Sequence, residues 1–186
     1  WEYVSNSLQY VDSNVSPIVH VKINNRGKKI MIKDNGTGMD WEDLDNFFTM
    51  HGENKDRKLG RPGRGYFGTG KSAAFGIADM LRITTVRARK KSIVELSRKK
   101  VEEITSGDEI PVDVLQREVA CDEPNGTLVE IEDVRLPSFD VPKIRHFIER
   151  NMGHMRKEVT IYVDNRECEY GVPAVSNFRD FTAQGD

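Results

Sequence analysis

The chain has 186 residues, of which 31% are charged and 37% hydrophobic, and its formal net charge is -2. That length fits one domain, or one with a small extension, and is enough to bury a proper core. The near-neutral balance argues against a wholesale nucleic-acid binder, no apolar run approaches the roughly 18 residues of a membrane span, and no signal peptide is visible.

Trp1, Val4, Leu8 and Val11 recur at helical spacing, which predicts a helix over residues 1–12. The chain opens inside this pattern with no initiator Met and no N-cap, so it reads as a fragment whose preceding segment is missing. Glu2 and Asn6, at i and i+4, project from one face of the helix. After a loop over residues 12–17, Ile18–Ile23 alternates apolar with polar. Asn24-Asn25-Arg26-Gly27 is a strong turn and Lys28–Lys33 a second strand, which together make a hairpin. A helix is expected from Asp40 to about Met50, with acidic residues in its first turn. Residues 51–65 are polar, basic and glycine-rich, with almost nothing to bury. Such a stretch is a lid or is disordered, and a lid over about residues 46–70 is the preferred reading. A helix over Ala73–Met80 and strands over Leu81–Arg87 and Ser92–Leu96 follow. Residues 97–118 have an ambiguous period, with a further strand expected near Ile110–Val114. Asn125-Gly126 turns into a strand from Thr127 to Ile131. A helix over Lys143–Met155 and a strand over Glu158–Val163 precede a weakly patterned tail from Gly171. Cys121 and Cys168 form neither a metal-ligand pattern nor a disulfide framework, so a reducing, cytoplasmic setting is the default.

The stretch Lys33-Asp34-Asn35-Gly36-Thr37-Gly38-Met39 directly follows the apolar run Ile30-Met31-Ile32. Glycines at this spacing let the backbone reach φ > 0 and let a flat ligand approach closely. An Asp at the end of a buried strand is costly unless something donates hydrogen bonds to it, and an adenine amine is such a donor. Taken alone, the stretch reads first as an ordinary β-turn.

Gly65-Tyr66-Phe67-Gly68-Thr69-Gly70-Lys71-Ser72 matches the phosphate-cradling pattern G-x-x-x-x-G-K-[ST] at every fixed position. That pattern needs a buried strand leading into the loop, and here a charged loop precedes it. A P-loop fold is therefore disfavoured. The chemistry survives in any fold, because glycines before a helix N-terminus present free N–H groups to an anion.

In order, the chain carries Glu2/Asn6 on a helix, Asp34-x-Gly36-x-Gly38-Met39, the loop Gly65–Gly70 before a helix, and Gly126-Thr127 before a strand. Over roughly residues 1–135 this resembles the GHKL ATPases: gyrase, the ninety-kilodalton heat-shock chaperones, histidine kinases and MutL, with the MORC proteins as relatives. The resemblance implies an α+β fold, a Bergerat-type two-layer sandwich. Its mixed, mostly antiparallel sheet would be covered on one face by helices, and the strand and helix order agrees. Residues 1–135 would form the ATP-binding core and residues 136–186 a helix-strand extension of the same domain.

The resemblance also implies roles. Glu2 is matched to the general base that polarises the attacking water, and Asn6 to the Mg²⁺ ligand. Asp34 is matched to the acceptor of the adenine amine, and Gly36, Gly38 and Met39 to the adenine pocket. Thr127 would support the water network that also touches Asp34. Gly65, Tyr66, Phe67, Gly68, Thr69, Gly70, Lys71 and Ser72 belong to the nucleotide loop, with Gly68, Gly70, Lys71 and Ser72 at the phosphates. Two positions depart from the best-known relatives. Gln9 stands where many members carry Asp, and Lys71 stands where chaperone-like members carry an apolar residue.

The expected function is Mg²⁺-dependent ATP binding and slow hydrolysis, coupled to lid closure and to ATP-dependent homodimerisation or a conformational switch. The expected ligands are ATP and ADP; a nucleic acid or protein client would engage through missing domains, and no membrane is involved. Asn6-Ser7-Leu8-Gln9-Tyr10 also looks like the corresponding run of histidine kinases, which keeps a kinase catalytic domain as an alternative. Glu2, the length of chain after Thr127 and the run Ile77–Thr85 favour the chaperone, MutL and MORC branch. A third reading is a non-hydrolysing module that binds nucleotide or nucleic acid, with Lys55, Arg57, Lys58, Arg61 and Arg64 contacting the partner.

Overall fold

In a computed structural model of the protein, the described residues are 1–12, 14–48, 74, 76–103, 112–152 and 159–170. Helix α1 spans Glu2–Gln9, and strands β1 (Ile18–Asn24) and β2 (Lys29–Asp34) form the expected hairpin. They pair antiparallel from Val19↔Asp34 to Asn24↔Lys29. The Asn24 side chain closes the turn by accepting the Gly27 amide at 2.8 Å. Helix α2 (Trp41–Phe48) starts at Asp40, whose carboxylate accepts the Asp43 amide at 2.9 Å as an N-cap. The last turn of α2 thus occupies residues 46–48 of the expected lid span, and residues 49–70 lie outside the described residues.

Strands β3 (Met80–Arg87) and β4 (Lys90–Ser97) meet through Ala88 and Arg89, both at positive φ (51° and 61°). That is the two-residue hairpin turn whose twist suits the flanking strands. Helix α3 (Arg98–Glu102) and strands β5 (Asp113–Ala120) and β6 (Gly126–Glu132) follow, then α4 (Val141–Met152), β7 (Thr160–Val163) and β8 (Arg166–Glu167). Among the described residues all the strands join one eight-stranded sheet in the order β5-β4-β3-β6-β2-β1-β7-β8. Every neighbouring pair is antiparallel except β1 and β7.

Alternation sets the two faces of this sheet. Val19, Val21, Ile32, Leu81, Ile83, Val94, Leu96, Val129, Ile131, Ile161 and Val163 are buried on one face. They share a single core with Tyr3 and Val4 of α1, Leu44 and Phe48 of α2 and Ile148 of α4. Helices therefore cover one face, giving two layers. The opposite face carries a ladder of charge across four strands. Lys29 pairs with Glu130 (2.6 Å) and Glu132 (2.7 Å), and Arg82 pairs with Glu95 and reaches Glu130 at 3.9 Å. No helix among the described residues is long and apolar enough to cross a membrane.

Several boundaries differ from the sequence expectations. The helix expected to reach Met80 ends by Ala78, whose amide closes the last turn on Ala74 O at 2.9 Å. Met80 already pairs with Glu132, so sheet formation takes over there. Strand β5 extends to Ala120, well past the expected Val114. Two register shifts against β4 and the positive φ of Glu118 (47°) break its alternation, and as an edge strand it leaves Val114, Leu115 and Val119 half exposed. Helix α3, with one apolar residue in Arg98–Glu102, carries no periodic signal; the Ser97 side chain caps it by accepting the Lys100 amide.

Candidate functional site

Strand β2 delivers the site. Ile32 faces the core, so Asp34, two residues on, presents its carboxylate to the same helix-covered side. Oδ1 of Asp34 accepts the Gly36 amide and the Thr127 amide, each at 2.9 Å. The buried Ser7 of α1 adds a side-chain hydrogen bond. Burial raises the Asp34 carboxyl above its usual range, against the opposing pull of Ser7, Gly36 and Thr127. A carboxylate has about four lone-pair sites, so three donors leave room for one more.

The turn after Asp34 is fixed by close backbone approach. Gly38 sits at φ 70°, and a Cβ there would meet Val86 O at 2.0 Å. A Cβ on Gly36 would meet Tyr10 O at 2.5 Å, and the same carbonyl accepts the Thr37 amide at 2.9 Å. The C-terminus of α1 is thereby docked onto the turn. Met39, packed against the core, donates its amide to Thr85 Oγ1 at 2.8 Å. Thr85 is only 1% exposed and lies in register with Thr127, at 3.4 Å between hydroxyl oxygens.

Among the residues singled out in the sequence, Asp34, Gly36, Gly38, Met39 and Thr127 come together at one end of the sheet, where β2, β3 and β6 lie side by side. Asn6 is half-buried on α1 beside Ser7, and Glu2 is exposed in the first turn of α1. At helical rise, Glu2 stands about 7.5 Å along the axis from Ser7, away from the Asp34 turn. Gly65, Tyr66, Phe67, Gly68, Thr69, Gly70, Lys71 and Ser72 lie outside the described residues. Among the described residues no group of three or more His, Cys, Asp and Glu is placed to hold a metal ion. The Asn6 amide oxygen is a donor of the kind Mg²⁺ accepts when phosphates and water supply its other ligands.

Three residues of the site escaped the sequence reading. Ser7 is a polar residue in the buried stripe of α1, and Thr85 is a polar residue at an inward position of the alternation Leu81, Ile83, Thr85. Both interruptions were visible signals. Gly126 belongs to the Gly126-Thr127 motif but carries no site role in the sequence, yet a Cβ there would meet Asp34 O at 2.4 Å. A separate cleft of about 190 Å³ is lined by Met39, Asp40, Arg87, Ala88, Lys90, Ser92 and Glu118. It shares only Met39 with the site. Its charges are matched in pairs, Arg87 with Asp40 at 3.3 Å and with Asp43, and Lys90 with Glu118 at 3.4 Å.

Residues 1–123 match the family model described as histidine kinase-, DNA gyrase B- and HSP90-like ATPase. Among solved structures, the chain is similar to the ATPase region of Saccharomyces cerevisiae topoisomerase II bound to ICRF-187 (dexrazoxane). The TM-score is 0.64 at 14% identity, over 89% of this chain and 46% of that one. A second structure of the same yeast region gives 0.62 at 15% identity, over 89% and 47%. The chain thus spans about half the length of these ATPase regions, and at such identity the likeness is one of fold. No curated protein sequence matches the chain.

Proposed function

The chain belongs to the histidine kinase-, DNA gyrase B- and HSP90-like ATPase family, and on that premise we propose that it binds ATP with Mg²⁺ and hydrolyses it slowly. The observation that carries this reading is Asp34, a carboxylate held by Ser7, Gly36 and Thr127 with acceptor capacity to spare. An exocyclic purine amine is the donor that completes it. Gly36, Gly38 and Met39 shape the wall beside the base, and Thr127 supports the same edge. Glu2, exposed at the far end of α1, is the general base for the attacking water. Asn6 contributes an amide oxygen to Mg²⁺, which when bound neutralises charge on the phosphates. Gly65, Tyr66, Phe67, Gly68, Thr69, Gly70, Lys71 and Ser72, which lie outside the described residues, are assigned on their motif to the nucleotide loop and the phosphates.

Lid closure over about residues 46–70 and ATP-dependent homodimerisation are the conformational output we assign to binding, in a cytoplasmic, chaperone-, MutL- or MORC-like protein. A nucleic acid or protein client would engage through other domains. Strand β7 pairs parallel with β1 and α4 contributes Ile148 to the core. That continuation beyond the Gly126-Thr127 strand supports an ATPase over a kinase catalytic domain.

The test is calorimetric titration with a non-hydrolysable ATP analogue and Mg²⁺, comparing the native chain with Asp34→Asn. The substitution removes a charged acceptor and should weaken binding about 10- to 100-fold. Equal affinity in the two proteins rejects the reading.

A further inference from the structure

Thr85 has no assigned part in the site, yet it is among the most buried side chains of the protein, 1% exposed on β3. A threonine hydroxyl has one proton and two lone pairs. Here one lone pair takes the Met39 amide at 2.8 Å. The proton has two acceptors within reach, Gly126 O and Thr127 Oγ1, each at 3.4 Å. The choice between them sets what Thr127 can do. If Thr85 donates to Thr127 Oγ1, the Thr127 proton is free to turn toward a ligand. If Thr85 donates to Gly126 O, Thr127 turns its proton back and offers a ligand only lone pairs.

We propose that Thr85 is the positioning residue for base selection: it accepts from Met39, donates to Thr127 Oγ1, and so holds Thr127 as a hydrogen-bond donor beside the acceptor Asp34. This rests on the nucleotide reading given above. An acceptor next to a donor matches one purine edge. Adenine offers the amine to Asp34 and a ring nitrogen lone pair to Thr127. Guanine presents a carbonyl oxygen and a ring N–H, the reverse pattern, and its oxygen would face the Asp34 carboxylate. The same hydroxyl that pins the Met39 backbone therefore also fixes the polarity of the edge that reads the base.

The experiment measures ADP and GDP affinities by calorimetry for the native chain, Thr85→Val, Thr85→Ser and Thr127→Val, with thermal unfolding to confirm that each is folded. Valine keeps the shape and removes the hydroxyl. It should weaken ADP about tenfold while changing GDP less, so that the ADP-to-GDP preference shrinks. Serine keeps the hydroxyl and should restore the preference to within about threefold of native. Thr127→Val removes the receiving hydroxyl and should shrink the preference as Thr85→Val does, which also serves if Thr85→Val fails to fold. A double variant carrying Thr85→Val and Thr127→Val should be no less selective than either single one, because the two hydroxyls act as a unit. An unchanged preference in Thr85→Val or in Thr127→Val overturns the proposal, as does a serine variant as unselective as the valine. A native chain that binds neither nucleotide overturns the function reading and this one with it. Native binding that discriminates, with variants that discriminate equally, overturns this proposal alone.

Discussion

The two ends of the site are built differently. At the base end, Asp34 holds donors from three separate elements, Gly36 and Gly38 press against backbone carbonyls, and Thr85 is sealed beneath Met39. At the other end, Glu2 is exposed and Asn6 half-buried on a helix of eight residues, Glu2–Gln9. The base end is organised by the same hydrogen bonds that organise the fold, so on the proposed reading ligand affinity and stability are coupled there. The Glu2 side chain is exposed, which on the proposed reading leaves it for chemistry. Substitutions at the two ends should therefore separate turnover from binding and stability.

The largest effect expected is on turnover. On the proposed reading, Glu2→Gln removes the base while keeping size and hydrogen-bonding shape, and should lower kcat at least about 100-fold. ADP affinity and the urea midpoint should stay near native, since exposed substitutions of this kind move stability by about 0.5 kcal/mol or less. A variant that keeps native turnover would remove Glu2 from the chemistry. A variant that loses stability would erase the contrast between the two ends. The opposite pattern is expected for Gly38→Ala. A Cβ at φ 70° and 2.0 Å from Val86 O forces the turn to move, at a cost of about 3 kcal/mol. Urea denaturation should show that loss, together with weaker ADP binding. Native-like stability would mean that the turn yields more easily than its geometry implies.

The same contrast explains what could be read from the sequence. The hairpin of β1 and β2, the Asp34 turn and the inward faces of β3 and β6 follow from local alternation and turn chemistry, so they were legible. The approach of Thr127 to Asp34 links residues 93 apart, and periodicity carries no information about it. Its legibility came from motif order and not from local patterning. The parallel pairing of β1 with β7 is likewise a property of topology. Ser7 and Thr85 went unread because a single polar residue in an apolar stripe looks like noise until its partner is known. Strand β5 resisted for a different reason: two register shifts destroy the alternation that marks a strand. In each case what was missed is a pairing between distant segments or an irregularity that such a pairing permits.

The smallest effect expected is one of pH, and it concerns Asp34 at the base end. Burial raises the Asp34 carboxyl in the folded protein, against the hydrogen bonds it accepts. The folded state therefore binds this proton more readily than the unfolded chain. The contribution of Asp34 to stability is full below the unfolded carboxylate range, near pH 3.9, and declines as pH rises through the raised folded value. A ligand amine that donates to the ionised carboxylate works in the other direction. Binding should release up to one proton across that window, and ADP affinity should strengthen as pH rises through it. Calorimetry in buffers of different ionisation enthalpy counts the protons. The nucleotide's own titrating groups behave alike with native and Asp34→Asn protein, so the difference between the two isolates Asp34. Equal proton release by both would mean that the carboxylate does not meet the base, and would leave the buried hydrogen bonds of Asp34 as a purely structural link between β2, β6 and α1.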